Sequence, residues 1–148
     1  MKQEGMFKWL TLDMLVFAAI NLCLLRYLGD RLTMLEDIGS LKLLVFGLAA
    51  YRAANVLSNE AVTKPLRAPF VEESQKDGKV VEEPKKSGFT GAMGHLIYCP
   101  SCTGVWLSAA LVYSYVFFPG PTFLVALFLA LSAIERIVSA LLARLKAT

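Results

Sequence analysis

The sequence predicts an all-α integral membrane protein with four transmembrane helices and a cytoplasmic loop or small β-hairpin flap between helices two and three. Three observations lead there. The 148 residues are 56% apolar and only 18% charged, with a mean hydropathy of +0.55, too apolar for an ordinary soluble domain. Four runs, at about 10–28, 41–57, 100–118 and 121–143, come near the roughly 20 residues needed to cross a bilayer core. The only substantial polar region, 59–94, holds six basic and six acidic side chains. These elements form a single membrane domain with no internal repeat.

The first run, Leu10 to Leu28, follows a short N-terminal segment and lacks a small-residue cleavage pattern, so it is expected to be retained rather than removed as a signal peptide. Gly29-Asp30 ends it. A short amphipathic stretch, Leu32 to Ile38, leads to Gly39-Ser40 and helix two. On helix two, Gly47, Ala50 and Ala54 form a small-residue face suited to close helix approach. Arg52, Asn55 and Asn59 share a polar face about a third of the circumference away.

The polar region opens with Pro65-Leu66-Arg67-Ala68-Pro69-Phe70. Two prolines are expected to forbid helix on either side of Arg67 and to hold it in an extended strap. Its five fixed donors suit a lipid phosphate, a carboxylate such as Glu72, or helix-end carbonyls, the last being a structural role. Pro69 to Glu72 and Lys79 to Glu82 then flank Asp77-Gly78, a hairpin signal. Val80, Val81 and Phe70 would pack on the bilayer edge or on helix ends; the alternative is a solvated loop without fixed structure.

Helix three starts at Cys99-Pro100-Ser101-Cys102. Proline suits the first helical turn, which makes Cys99 the N-cap. After Phe118, Pro119-Gly120-Pro121 reads as a tight turn, so helices three and four form an antiparallel hairpin. With four spans, the N-terminus, the polar region and the C-terminus share one side and hold ten of the fifteen Lys and Arg residues. The positive-inside rule places both termini, the polar region and the two cysteines in the cytoplasm. A net charge of +3 without a basic patch excludes nucleic acid as a partner and favours membrane lipids.

Cys99 and Cys102 stand three residues apart on one helical face, continued by Thr103 and Trp106. They are a candidate redox pair, half of a metal site, or two small residues packed under the polar region. His95 lies four residues before Cys99, so His95, Cys99 and Cys102 could supply three zinc ligands, with Glu82, Glu83, Cys23 or water as the fourth. No second CxxC completes such a site, and no cofactor is otherwise called for. Cys23 lies in an apolar helix, so the three cysteines make no secreted disulfide framework. On helix four, Ser132, Glu135 and Ser139 form a polar stripe. Charges inside a membrane usually pair or line a cavity, so Arg52 is expected to meet Glu135 or Asp13; the alternative is that Arg52, Glu135 and Arg136 snorkel to the interface.

Arg52 in an Ala-rich helix, then PLRAPF at Pro65 to Phe70, a Glu-rich loop ending in Gly, CPSC at Cys99 to Cys102 with Trp106, and a final helical hairpin resemble a bacterial family catalogued as domain of unknown function thirteen-sixty. The resemblance runs from about Leu44 to Leu145 and leaves the first helix outside. It implies a short bacterial integral membrane protein, some relatives being labelled as sporulation-associated, and it implies no activity. Relatives usually carry Glu where this chain has His95, which weighs against His95 as a metal ligand. Many carry an aromatic residue where this chain has Ser101.

No base, acid and nucleophile constellation is visible. The expected function is therefore a non-enzymatic interaction or scaffold protein with a cytoplasmic PLRAPF and CPSC face, in which Arg52, Arg67, Trp106 and Glu135 have binding or structural roles. Its partners would be membrane lipids and an unidentified protein or a second copy. Two alternatives belong to other classes. One is a thiol-redox membrane protein using Cys99 and Cys102; the other is a lipid or ion pathway lined by Arg52 and Glu135, for which four helices would need to oligomerise.

Overall fold

The structure, a computed structural model, describes residues 2–35, 38–76, 79–85 and 88–146. Six α-helices and one two-stranded sheet are present among them, in the order α1 (Lys2–Leu28), a 3-10 segment (Gly29–Leu35), α2 (Ser40–Asn59), a 3-10 turn (Ala61–Thr63), α3 (Lys64–Arg67), β1 (Val71–Lys76), β2 (Lys79–Pro84), α4 (Gly88–Tyr98), α5 (Pro100–Phe117) and α6 (Pro119–Lys146). Three helices are long and apolar enough to cross a membrane: Phe7–Leu28 of α1, α2 and α6. A fourth crossing is counted if Phe89–Tyr98 and Pro100–Phe117, which bend through 88° at Cys99, make one broken span.

Inside the apolar helices, polar side chains turn back on their own backbone. Thr11 Oγ1 donates to Phe7 O at 2.7 Å and Asn21 Nδ2 to Phe17 O at 2.8 Å. Such bonds within a helix satisfy a polar group where no water is at hand.

The chain divides into two compact units. One combines the chain up to Tyr27 with Asn55–Thr103; the other combines Leu28–Ala54 with the chain from Gly104 onward. In the second unit, Phe46, Ala49 and Ala126 form the core, with Val45, Leu111, Tyr115, Phe123 and Leu129 packed against it. Phe46 meets Tyr115 and Phe123 edge-on, with centroids 5.2 and 6.4 Å away, an arrangement the aromatic quadrupole favours. Ala126, Ala130 and Ala133 are buried on α6, as are Ala49, Ala50 and Ala54 on α2. Small side chains let backbones approach where the surroundings are as apolar as the helices themselves. Gly47 is not part of this face: it is exposed, and a Cβ added there meets nothing within 4 Å. Ala49 takes the place expected for it, because burial on α2 follows Phe46, Ala49, Ala50 and Ala54, the three- and four-residue steps of a helix.

Pro119, Gly120 and Pro121 do not form a turn. They are the first residues of α6, and Phe118 alone separates α6 from α5. Thr122 N donates to Phe118 O at 3.1 Å, the first bond of the new helix. Pro119 and Pro121 fall where helical N–H groups have no intrahelical partner, so neither costs a hydrogen bond.

In the first unit, β1 and β2 pair antiparallel from Val71 opposite Pro84 to Lys76 opposite Lys79. Asp77 and Gly78, expected to make the turn, lie outside the described residues, as do the side chains of Val80 and Val81. An isolated two-stranded hairpin is marginal in water. Here the ladder puts Glu72 opposite Glu83, and like charges on facing positions weaken it further. The hairpin therefore depends on what it is seated on, which is α4.

Substitution should follow the observed face of α2 and not the expected one. Ala49→Leu is expected to lower the thermal midpoint of the detergent-solubilised protein, overpacking costing about 1–3 kcal/mol. Gly47→Ala should leave the midpoint unchanged or raise it, since Ala favours helix by about 0.5–1 kcal/mol. Thermal aggregation monitored by size-exclusion chromatography distinguishes them.

Candidate functional site

The residues that sequence reading singled out around PLRAPF and CPSC are gathered in the first unit, in one continuous set of contacts. It begins at the end of α2, whose last carbonyls have no partners within the helix. The Thr63 hydroxyl donates into that group, with Val56 O at 2.6 Å, Glu60 O at 2.9 Å and Leu57 O at 3.2 Å. Arg67, one helical turn later, is 4% exposed and donates from Nη1 to Leu57 O at 3.1 Å. A cation at a helix C-terminus is favoured by the backbone dipole, most where water is excluded.

Arg67 reaches Leu57 because its segment is helical, not extended. Lys64–Arg67 makes one α-turn, closed by Ala68 N to Lys64 O at 2.9 Å, and Pro65 occupies its first turn, where proline is tolerated. The expectation of an extended strap fails because Pro69 lies beyond the last helical residue and so constrains only the exit. From there, Phe70 N donates to Arg67 O at 2.8 Å and Lys85 N to Phe70 O at 3.1 Å, while Lys85 Nζ reaches Pro69 O at 2.8 Å. The base of the hairpin is thus tied to the turn that carries Arg67.

Gly94 of α4 joins this base. It is buried, and a Cβ placed there would collide with Phe70 O and stand 3.2 and 3.3 Å from Pro84 Cβ and Cα. No side chain fits, because the helix backbone itself lies against the hairpin. Sequence reading missed both Thr63 and Gly94. Thr63 stands four residues before Arg67, a helical spacing legible only once Pro65 is read as a helix start; Gly94 left no local signal. Trp9 and Phe89 add an edge-on ring contact at 6.1 Å in the same unit.

Four residues after Gly94, α4 ends and Cys99 forms the corner. Cys99 N donates to His95 O and Leu96 O at 3.1 and 3.2 Å, and Thr103 Oγ1 returns to Leu96 O at 2.8 Å. Cys99 caps α5: Thr103 N donates to its carbonyl at 3.0 Å and Cys102 N to its sulfur at 3.3 Å. The Cys102 thiol, then the Cys102 N–H, donate to Cys99 and hold its thiol below the ordinary range, against a smaller upward push from burial. Cys102 is exposed and Cys99 half-buried, both as free thiols.

His95 is exposed. Among the described residues no group of three or more His, Cys, Asp or Glu side chains is placed to hold a metal ion, so the His95, Cys99 and Cys102 spacing does not assemble into a three-ligand site there.

The remaining candidates lie in the second unit. Arg52 Nε donates to Ser132 Oγ at 2.8 Å, and Ser139 Oγ donates to Glu135 Oε1 at 2.9 Å. Arg52 therefore meets the polar stripe of α6 one turn before Glu135, at a residue assigned to that stripe but not to this contact. Trp106 is half-buried.

This architecture is that of an α-helical protein whose described residues include three helices long and apolar enough to cross a membrane, with a polar module around Arg67, Gly94 and Cys99. Its family is named by comparison. The model for the family described as Protein of unknown function (DUF1360) matches residues 45–142, and the chain belongs to that family. Sporulation protein YjcA of Bacillus subtilis (strain 168) is similar, 29% identical over 112 residues that cover 72% of this chain and 95% of the relative. No solved structure matches the chain.

Arg67→Leu is expected to remove a charge-assisted bond worth about 1.5–3 kcal/mol and to loosen the base of the hairpin, raising trypsin cleavage at Lys85. Arg67→Lys should restore only part of the protection, since ammonium lacks the planar fork. Gly94→Ala should produce the same cleavage by unseating the hairpin from the other side. Limited proteolysis with mass mapping checks all three; a hairpin that stays uncut in Gly94→Ala would contradict the seating described.

Proposed function

We propose that this chain is a multi-pass protein of a bacterial plasma membrane that serves as a non-enzymatic docking scaffold, with the Arg67, hairpin and Cys99 module as its cytoplasmic face. The observation that carries the proposal is the direction in which Arg67 is used. Its guanidinium is buried against α2's own carbonyl and so serves to hold the module rigid. Around this anchor, Val62 and Leu66 stay 75% and 65% exposed, apolar side chains held outward on a fixed frame. A preformed apolar surface needs less ordering on binding than a loose loop and so recognises a protein partner at lower entropic cost.

The proposed topology has four spans, with α5 as the third. At 18 residues α5 is about 27 Å long, near the thickness of a bilayer core, whereas the 11 residues of α4 reach only about 16 Å. The bend at Cys99 then lets α4 lie along the inner interface, and the distribution of Lys and Arg supports cytoplasmic termini. The name of the Bacillus relative supports a role during sporulation.

Two measurements test this reading. With Cys23 and Cys99 replaced by Ser, Cys102 is expected to react with a membrane-impermeant maleimide in inverted vesicles and not in intact spheroplasts; the reverse pattern would overturn the orientation. In native gels of mildly solubilised host membranes sampled through sporulation, the wild-type chain is expected in a complex larger than itself. Val62→Glu with Leu66→Glu should dissolve that complex while leaving thermal stability within about 0.5 kcal/mol, as for surface changes generally. A wild-type chain that migrates alone at every stage would sink the scaffold reading.

A further inference from the structure

The docking role makes no use of the two sulfurs at the corner between α4 and α5. Their arrangement is nevertheless specific. A helix N-cap is ordinarily a hydroxyl, carboxylate or amide oxygen; α5 is capped by the sulfur of Cys99, which receives the Cys102 N–H at 3.3 Å. Pro100 contributes no N–H, and the Cys102 N–H, one of the first donors of the helix, is directed at this sulfur. A sulfur that accepts a backbone N–H at the positive end of a helix meets the conditions under which a thiol ionises and becomes nucleophilic.

The second thiol is within reach of the first. Side chains three apart on a helix have Cβ atoms about 5–6 Å from each other, against roughly 3.5–4.5 Å in a disulfide. Cys99 is the N-cap at the break between α4 and α5, so the shift falls on that corner and not on the interior of α5. Both sulfurs are free, and the exposed position of Cys102 leaves the corner open to a partner.

We propose that Cys99 and Cys102 form a thiol–disulfide exchange site, in which Cys99 attacks a disulfide presented at this corner and Cys102 resolves the product. The Cys99 thiol gives its proton to water. Its sulfur then bonds to one sulfur of the substrate disulfide and breaks the S–S bond; the other substrate sulfur leaves as a thiolate and takes up a proton. The Cys102 thiol next loses its proton and attacks Cys99 Sγ, releasing the remaining substrate sulfur, which is protonated in turn. The substrate disulfide gains two electrons and two protons, and the Cys99–Cys102 pair loses the same as it closes to a disulfide. The substrate class is a disulfide, carried by a protein or by a low-molecular-weight thiol.

The test uses the full-length chain with Cys23→Ser, purified in detergent micelles and equilibrated across ratios of reduced to oxidised glutathione. Samples are quenched in acid, alkylated and resolved by peptide mass. Cys99 and Cys102 are expected to become protected together, in one two-electron transition. Cys102→Ser should hold a glutathione adduct on Cys99, while Cys99→Ser should form its adduct on Cys102 roughly ten-fold more slowly. Failure to form the intramolecular disulfide at any ratio, or equal adduct rates in the two variants, would overturn the proposal. A second arm identifies the source of the disulfide by acid-trapping Cys102→Ser in host cells. A small-thiol adduct on Cys99 points to a low-molecular-weight disulfide, and a reducible covalent complex points to a protein. No adduct of either kind also overturns the proposal. None of these readouts depends on the native complex that tests the docking role.

Discussion

A guanidinium that is 4% exposed must be hydrogen-bonded, or the unpaired charge would cost more than a small module could bear. The acceptor it meets is the end of α2, where backbone carbonyls are themselves short of partners. Part of each deficit is met at Leu57 O, which accepts from Arg67 Nη1 at 3.1 Å. Thr63 meets the neighbouring carbonyls from the turn before, so the helix ends in a closed set of bonds made by the chain that follows it. Everything downstream in the first unit is positioned from there: the turn at Arg67 O holds Phe70, Phe70 O holds the base of the hairpin through Lys85, and the same carbonyl marks where Gly94 must lack a side chain.

The second unit solves a different problem. Its helices bring polar side chains together at particular points, as Arg52 with Ser132 and Ser139 with Glu135. Association there rests on fit between small side chains, with Ala49 and Ala126 fully buried beside the Phe46 rings. Close approach and dispersion carry such a contact. The two units thus use opposite means: one is organised by hydrogen bonds to backbone ends, the other by the absence of bulk.

The corner at Cys99 inherits its geometry from the first unit. Leu96 O accepts from both Cys99 N and Thr103 Oγ1, so the end of α4 and the start of α5 share an acceptor and the bend is fixed within one turn. That places the sulfur of Cys99 at the positive end of α5, whatever the corner binds. Membership of the family attaches to the architecture; the chemistry attaches to this one turn.

Much of the architecture was legible in the chain because hydropathy is a property of a run and survives any local error. The apolar segments now seen as α1, α2 and α6 and the start of α5 at Pro100 were visible as pattern, while Asp77-Gly78 offered a hairpin beside the alternative of a solvated loop. Proline was misread at two places for one reason: it forbids helix before it but is welcome in the first turn after it. Pro65 and Pro119 look alike locally, and only the chain's surroundings determine whether a helix starts there. Partner identity was the other blind spot. Nothing in the composition of α2 says that Arg52 meets Ser132, that Arg67 folds back on Leu57, or that Ala49 and not Gly47 is buried. The sequence by itself determined which segments are apolar and where helices can start. Tertiary structure alone decided which carbonyls and which small side chains meet, because those contacts join residues far apart in the chain.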